Sequence, residues 1–157
     1  MHNIRKYLAI FLLLLPAIAF AQNAAELDVM LTSVTVSASS AARFVLGAAD
    51  LLPPELSGPE AEEAAYEIAA SKGWIRVPGD ESITLIDTAF LIMKAFEIRG
   101  GLLYTLFGNP RYAFREMIYQ KIITGHADGS MKVYGARFLQ ILDKTISCYA
   151  IDMGYNG

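Results

Sequence analysis

The chain has 157 residues, 54% of them hydrophobic, a formal net charge of −3 (13 Lys+Arg against 16 Asp+Glu) and a single cysteine. That acidic balance argues against nucleic acid as a partner, which needs clustered Lys and Arg against phosphates, and against a polybasic membrane-surface role. One cysteine forms no internal bridge, so the chain is not a disulfide scaffold.

At the N-terminus, Arg5 and Lys6 precede an unbroken apolar run from Tyr7 to Leu15, followed by Pro16 and Ala19-Phe20-Ala21. A basic start, an apolar core and an A-x-A site mark a secretory signal peptide, expected over residues 1–21. A bilayer crossing takes about 20 apolar residues, and this core is shorter and broken by proline. No membrane span is therefore expected once the signal is removed, and the expected location is the periplasm or cell surface. From Gln22 onwards the chain carries 11 Lys+Arg against 16 Asp+Glu, a net −5.

Ala24 to Leu31 can form a short helix, with Leu27, Met30 and Leu31 on one side. Thr32 to Ser40 reads as a turn or brief extended piece, and Ala41 to Asp50 as an alanine-rich amphipathic helix ended by Pro53-Pro54. Ser57 and Glu60 have capping-box spacing, with Pro59 in the first turn of a helix that stops at Gly73, a left-handed C-terminal cap. After Trp74-Ile75 and a Pro78-Gly79-Asp80 turn, Thr84 and Asp87 open a helix from Leu85 to Ile98 that is apolar almost all round, the pattern of a central core helix.

Gly100-Gly101 breaks that helix, Leu102 to Phe107 adds a short apolar turn or two, and Asn109-Pro110 caps the next helix. This one leads through Tyr112, Ala113, Met117 and Ile118 into Ile123-Thr124-Gly125-His126-Ala127-Asp128-Gly129-Ser130-Met131, two turns in succession. The last helix is expected from Gly135 to about Cys148, with a poorly ordering tail over residues 150–157. Cys148, near the end of an apolar helix, is expected as a small buried core residue.

Setting residues 64–94 over 112–142, an ungapped shift of 48, pairs Ala65 with Ala113, Ile75 with Ile123 and Asp80 with Asp128. It also pairs Ser82 with Ser130, Phe90 with Phe138 and Leu91 with Leu139. Identities at matching helix–turn–helix landmarks indicate an internal repeat whose units pack on one another. The Ala41–Asp50 helix lies about one repeat upstream and is a candidate second helix of a partial first unit.

The string from Ile123 to Met131, with Lys72-Gly73-Trp74-Ile75 and Ile83-Thr84 in the earlier unit, resembles the core of an S-layer homology repeat. The resemblance covers roughly residues 57–146. It implies a helical cluster of repeats that holds a protein to wall-associated polysaccharide or peptidoglycan. Where that family starts its next helix with Thr-Arg-Ala-Glu, this chain has Thr84-Leu85-Ile86-Asp87 and Lys132-Val133-Tyr134-Gly135, so the polymer-reading Arg is absent from both units.

No catalytic set assembles. His126 beside Asp128 lacks a nearby nucleophile, and Asp128-Gly129 lacks the alternating ligands of a calcium loop. Glu60, Glu62, Glu63 and Glu67 lie at the start of one helix, where negative charge complements the dipole. Arg111, Tyr112 and Arg115, together with Trp74 and Arg76 at the aligned turn, mix cations with aromatics as a sugar or acidic wall polymer would require. Gly73, Asp80, Gly125, Asp128 and Gly129 are expected as structural turn residues.

The sequence thus predicts an all-α, single-domain protein of two to three helix-turn-helix S-layer-homology-like repeats. The parts are a signal peptide (1–21), N-terminal helices with a possible partial repeat (22–56), two units (57–108 and 109–149) and a tail (150–157). The expected function is non-catalytic binding of wall polymer, with neither cofactor nor metal. The alternatives are an envelope protein-interaction subunit using the apolar surface at Leu102 to Phe107, and a glycan-processing enzyme using acidic residues.

Overall fold

The structure, a computed structural model, describes residues 24–154, with side chains described as far as Tyr149; the expected signal peptide lies outside the described residues. The protein is all-α: among the described residues there are seven helices and no β-strand. They are α1 (24–32), α2 (Ala38–Ala48), α3 (Gly58–Ser71), α4 (Leu85–Ala95), α5 (Leu102–Phe107), α6 (Pro110–Tyr119) and α7 (Gly135–Gly154).

Local chemistry sets most helix starts. The Ser37 hydroxyl accepts the Ser40 N–H at 3.1 Å, so α2 begins at Ala38, three residues before the expected start. Thr84 caps α4 by accepting the Asp87 N–H, and Asn109 caps α6 by accepting the Tyr112 N–H with Pro110 in the first turn. The capping box expected at Ser57 does not form. Instead, Glu26 of α1 accepts the Gly58 N–H at 3.2 Å while Arg43 of α2 donates to the same carboxylate at 3.2 Å. A full negative charge at the positive end of a helix is a stronger acceptor than a serine hydroxyl, and Arg43 holds it there.

The helix ends also follow backbone rules. Gly73 ends α3 at φ 68°, and the Trp74 N–H returns to the Ala69 carbonyl. After α6 the same reversal falls on Lys121 at φ 60°, with the Ile122 N–H returning to the Met117 carbonyl. The last helix extends beyond the expected Cys148 to Gly154, so residues 150–154, expected as a tail, are helical. Cys148 is exposed rather than buried. The inward stripe of α7 runs Phe138, Leu142, Thr145 and then half-buried Tyr149, a 3.6-residue period that leaves position 148 to one side.

The core is organised by three chain crossings. Val36, Ile83 and Val133, each fully buried, precede the starts of α2, α4 and α7. The Val36 N–H donates to the Val133 carbonyl (2.9 Å), the Val133 N–H to the Ile83 carbonyl (3.2 Å), and the Ile83 N–H to the Val36 carbonyl (2.8 Å). The three bonds close a ring, satisfying buried backbone groups that would otherwise cost stability. Around it, α2 packs on α3 and α4 on α6, while the end of α1 meets the start of α7. Leu85, Thr88, Leu91 and Ile92 of α4 lie wholly inside, as expected of the central helix, and the Phe44 and Phe138 rings meet edge to face at 6.5 Å.

Candidate functional site

The α3–α4 loop carries the first two predicted ligand residues. Because Gly73 reverses the chain, Trp74 lies half-buried against the core with the Lys72 ammonium 5.0 Å from its ring centre. Buried Ile75 anchors the loop, and exposed Arg76 projects its guanidinium to 5.9 Å from the Phe90 ring centre. Lys94, one turn further along α4, sits 5.4 Å from the same ring and 5.8 Å from that of Tyr104. These cation–aromatic contacts form a strip from the loop across α4 to α5.

The other three residues lie on α6. Tyr112 stacks on Phe107 of α5 with ring centres 5.3 Å apart, and Arg111 and Arg115 are exposed on the same helix. Tyr112 and Arg115 meet in a shallow cavity of about 260 Å³ that Tyr104, Glu116 and Tyr119 also line. Burial pushes the Tyr104 phenol above its ordinary pKa. The five predicted residues therefore occupy two places, Trp74 and Arg76 at one end and the α6 group at the other, connected through Phe90, Lys94 and Tyr104. Phe90 was legible only as a core residue. The cue for Lys94 was its spacing of four from Phe90 on one helix.

The predicted turn residues lie in turns. Gly125 adopts φ 78°, and a side-chain carbon on Gly129 would lie 3.3 Å from Ile86, whose N–H donates to the Gly129 carbonyl. Asp128 accepts both the backbone N–H (2.9 Å) and the hydroxyl (2.8 Å) of Ser130. Those two bonds, with a smaller contribution from His126, hold its carboxyl below the usual carboxylate range. Asp80 is exposed in a turn closed by the Glu81 N–H on the Pro78 carbonyl. Of the α3 acids, Glu62 is engaged by the Ser40 hydroxyl at 2.9 Å, a tie between α2 and α3. Among the described residues, no three His, Cys, Asp or Glu side chains cluster as metal ligands.

A larger feature escaped the sequence. An open groove of about 820 Å³ runs between α1, α2, the α2–α3 connection and α7, lined by Leu27, Phe44, Leu139 and Ile146 together with Glu26, Arg43 and Asp143. Its walls come from segments far apart in the chain. Comparison of the chain with protein-family models, with curated proteins and with solved structures finds no match.

Proposed function

We propose that the protein is an exported, non-catalytic envelope component of three tandem helix–loop–helix units, related in plan to S-layer homology repeats, that binds an acidic wall polymer. The units are α1–α2, α3–α4 and α6–α7, with α5 inserted before the third. The observation that carries the reading is the closed ring of hydrogen bonds among Val36, Ile83 and Val133, one position from each unit. Further correspondences accompany it: Ala38 N–H donates to the Glu81 carbonyl and Leu85 N–H to the Met131 carbonyl, each two residues before the next crossing. Ser39 N–H likewise donates to Gly79 and Ile86 N–H to Gly129, each four residues before it.

In this reading the first unit has both of its helices rather than one. The repeat shift is also not uniform: Gly73 and Lys121, which share the left-handed reversal, are 48 apart, while the crossings Ile83 and Val133 are 50 apart. The ungapped register of 48 suits the first helices and slips by two on the second, where Phe138 pairs with Thr88 rather than Phe90. The third loop absorbs the two extra residues.

Polymer binding draws on the strip from Trp74 and Arg76 to Tyr112 and Arg115. Flat aromatic faces suit sugar rings, and guanidinium forks suit carboxylate or phosphate groups on the polymer. The test is sedimentation of the purified protein with isolated cell-wall sacculi. The expected result is co-sedimentation that weakens on Arg76→Ala and on Arg115→Ala, both exposed positions, with the helical circular-dichroism signal of each variant retained. Protein remaining in the supernatant would reject the polymer reading, and a co-purifying envelope protein would favour the interaction-subunit alternative.

A further inference from the structure

Helix α5 is built with its apolar side outward. Leu102 is 80% exposed, Leu106 70%, Phe107 56% and Leu103 47%, while Tyr104 alone turns into the core. The arrangement is held in place. The Gly101 N–H donates to the Glu116 carboxylate at 2.9 Å, the Gly108 N–H closes the helix on the Tyr104 carbonyl at 2.7 Å, and Phe107 stacks on Tyr112. Tyr119, 82% exposed, lines the same cavity as Leu102 and Leu103. Clustered apolar exposure on a braced element marks a contact surface rather than scattered surface hydrophobics.

Charge selects the occupant. Residues 94–121 contain five basic side chains (Lys94, Arg99, Arg111, Arg115, Lys121) and two acidic ones, and Glu116 is already occupied by the Gly101 and Gln120 donors. The rest of the chain has eight basic and fourteen acidic residues. The acidic balance of the whole chain is thus not shared by this segment. A second copy docked face to face would bring these cations against their own counterparts, which disfavours a symmetric dimer here. An apolar crest with Arg115 beside Leu102 and Leu103 in one cavity, and Lys94 against the Tyr104 ring, matches the interface of an anionic bilayer, the crest entering the acyl boundary and the cations meeting headgroup phosphates.

We propose that α5 and its flanking basic residues dock the protein on an anionic lipid surface. No helix among the described residues is long and apolar enough to cross a membrane, so the docking is peripheral. The inference goes beyond polymer binding and does not depend on it.

The test uses the full chain with phosphatidylcholine vesicles, with and without phosphatidylglycerol, and reads backbone amide exchange at residues 102–107 together with co-flotation. Local exchange reports α5 itself, whatever other segments touch lipid. The expected result is slowed exchange at 102–107 on the anionic vesicles only. The double substitution L102S/L106S should lower partitioning at least about tenfold, and Arg115→Ser about fivefold, the worth of one surface cation. Val34→Ser, at an equally exposed apolar residue outside the basic segment, should leave it unchanged. Exchange at 102–107 that ignores anionic vesicles would overturn the proposal. So would protection that grows with protein concentration in the absence of lipid, which would make the face a contact between copies.

Discussion

Replacing Gly135 with alanine should detach α1 from the body of the protein, against the sign expected from helix propensity. A Cβ at position 135 would lie 1.5 Å from the Met30 carbonyl oxygen and 2.7 Å from its carbonyl carbon. Ordinary contact between such atoms is about 3.5 Å, so the end of α1 must retreat by about 2 Å, and a backbone atom cannot rotate away as a flexible side chain would. That retreat breaks the 2.8 Å bond from the Gly135 N–H to the Ser33 carbonyl, worth about 1 kcal/mol. It also exposes the Met30 side chain, now 4% accessible, at about 1.5–3 kcal/mol. The better helix propensity of alanine offsets at most about 1 kcal/mol. The expected outcome for G135A is a net loss of about 1.5–3 kcal/mol in a urea titration, with faster amide exchange confined first to α1. A G135A protein as stable as the parent, or more stable, would refute the close approach of α1 and α7.

Glu26→Gln should cost about 1 kcal/mol in the same titration: the amide oxygen keeps a cap on Gly58 but loses the charge that pairs with Arg43, and both partners are partly exposed. Full parental stability would show that the charge on Glu26 contributes nothing. Lys121→Gly and Gly73→Ala should shift stability in opposite directions by about 1 kcal/mol each, because both positions are left-handed and glycine alone carries no strain there. Equal signs would refute the shared reversal. Asp128, with its carboxyl held low by Ser130, should titrate below the ordinary aspartate range in an NMR pH series, and Ser130→Ala should raise it. Because its folded pKa lies below the unfolded one, near 3.9, the linked stability is present above that value and lost as pH falls through the folded pKa. A Ser130→Ala protein with unchanged Asp128 titration would remove the hydroxyl as a cause and leave the Ser130 backbone N–H as the main one.

Where a structural feature depends on a few adjacent residues, the sequence was a sufficient guide. The caps at Thr84 and Asn109, the glycine reversal at Gly73, and the all-round apolar pattern of α4 are each set within a turn or two of chain, and all are present. Of the candidate site, the sequence indicated the residue types on α6 and in the α3–α4 loop. It did not indicate that Phe90, Lys94 and Tyr104 connect them, since those contacts depend on how α4 sits against α5.

The misses share one cause. Ser57 had every local mark of a cap, yet the partner of Gly58 is Glu26, 32 residues away and held by a third segment. Lys121 takes a left-handed conformation that its side chain does not announce, because the packing of Ile122 and Ile123 requires the reversal there. Cys148 is exposed because α7 faces its partners along a stripe that reaches Tyr149 instead.

Composition, capping and hydrophobic period by themselves determined that this chain is helical, where most helices begin, and which residues are available to meet a ligand. Those properties follow from backbone geometry and side-chain chemistry within a few residues. Only the tertiary structure decided that Val36, Ile83 and Val133 close a ring and that Gly135 must lack a side chain. Each of these is a relation between segments tens of residues apart or between a helix and its surroundings, and single backbone crossings leave no periodic trace in the sequence.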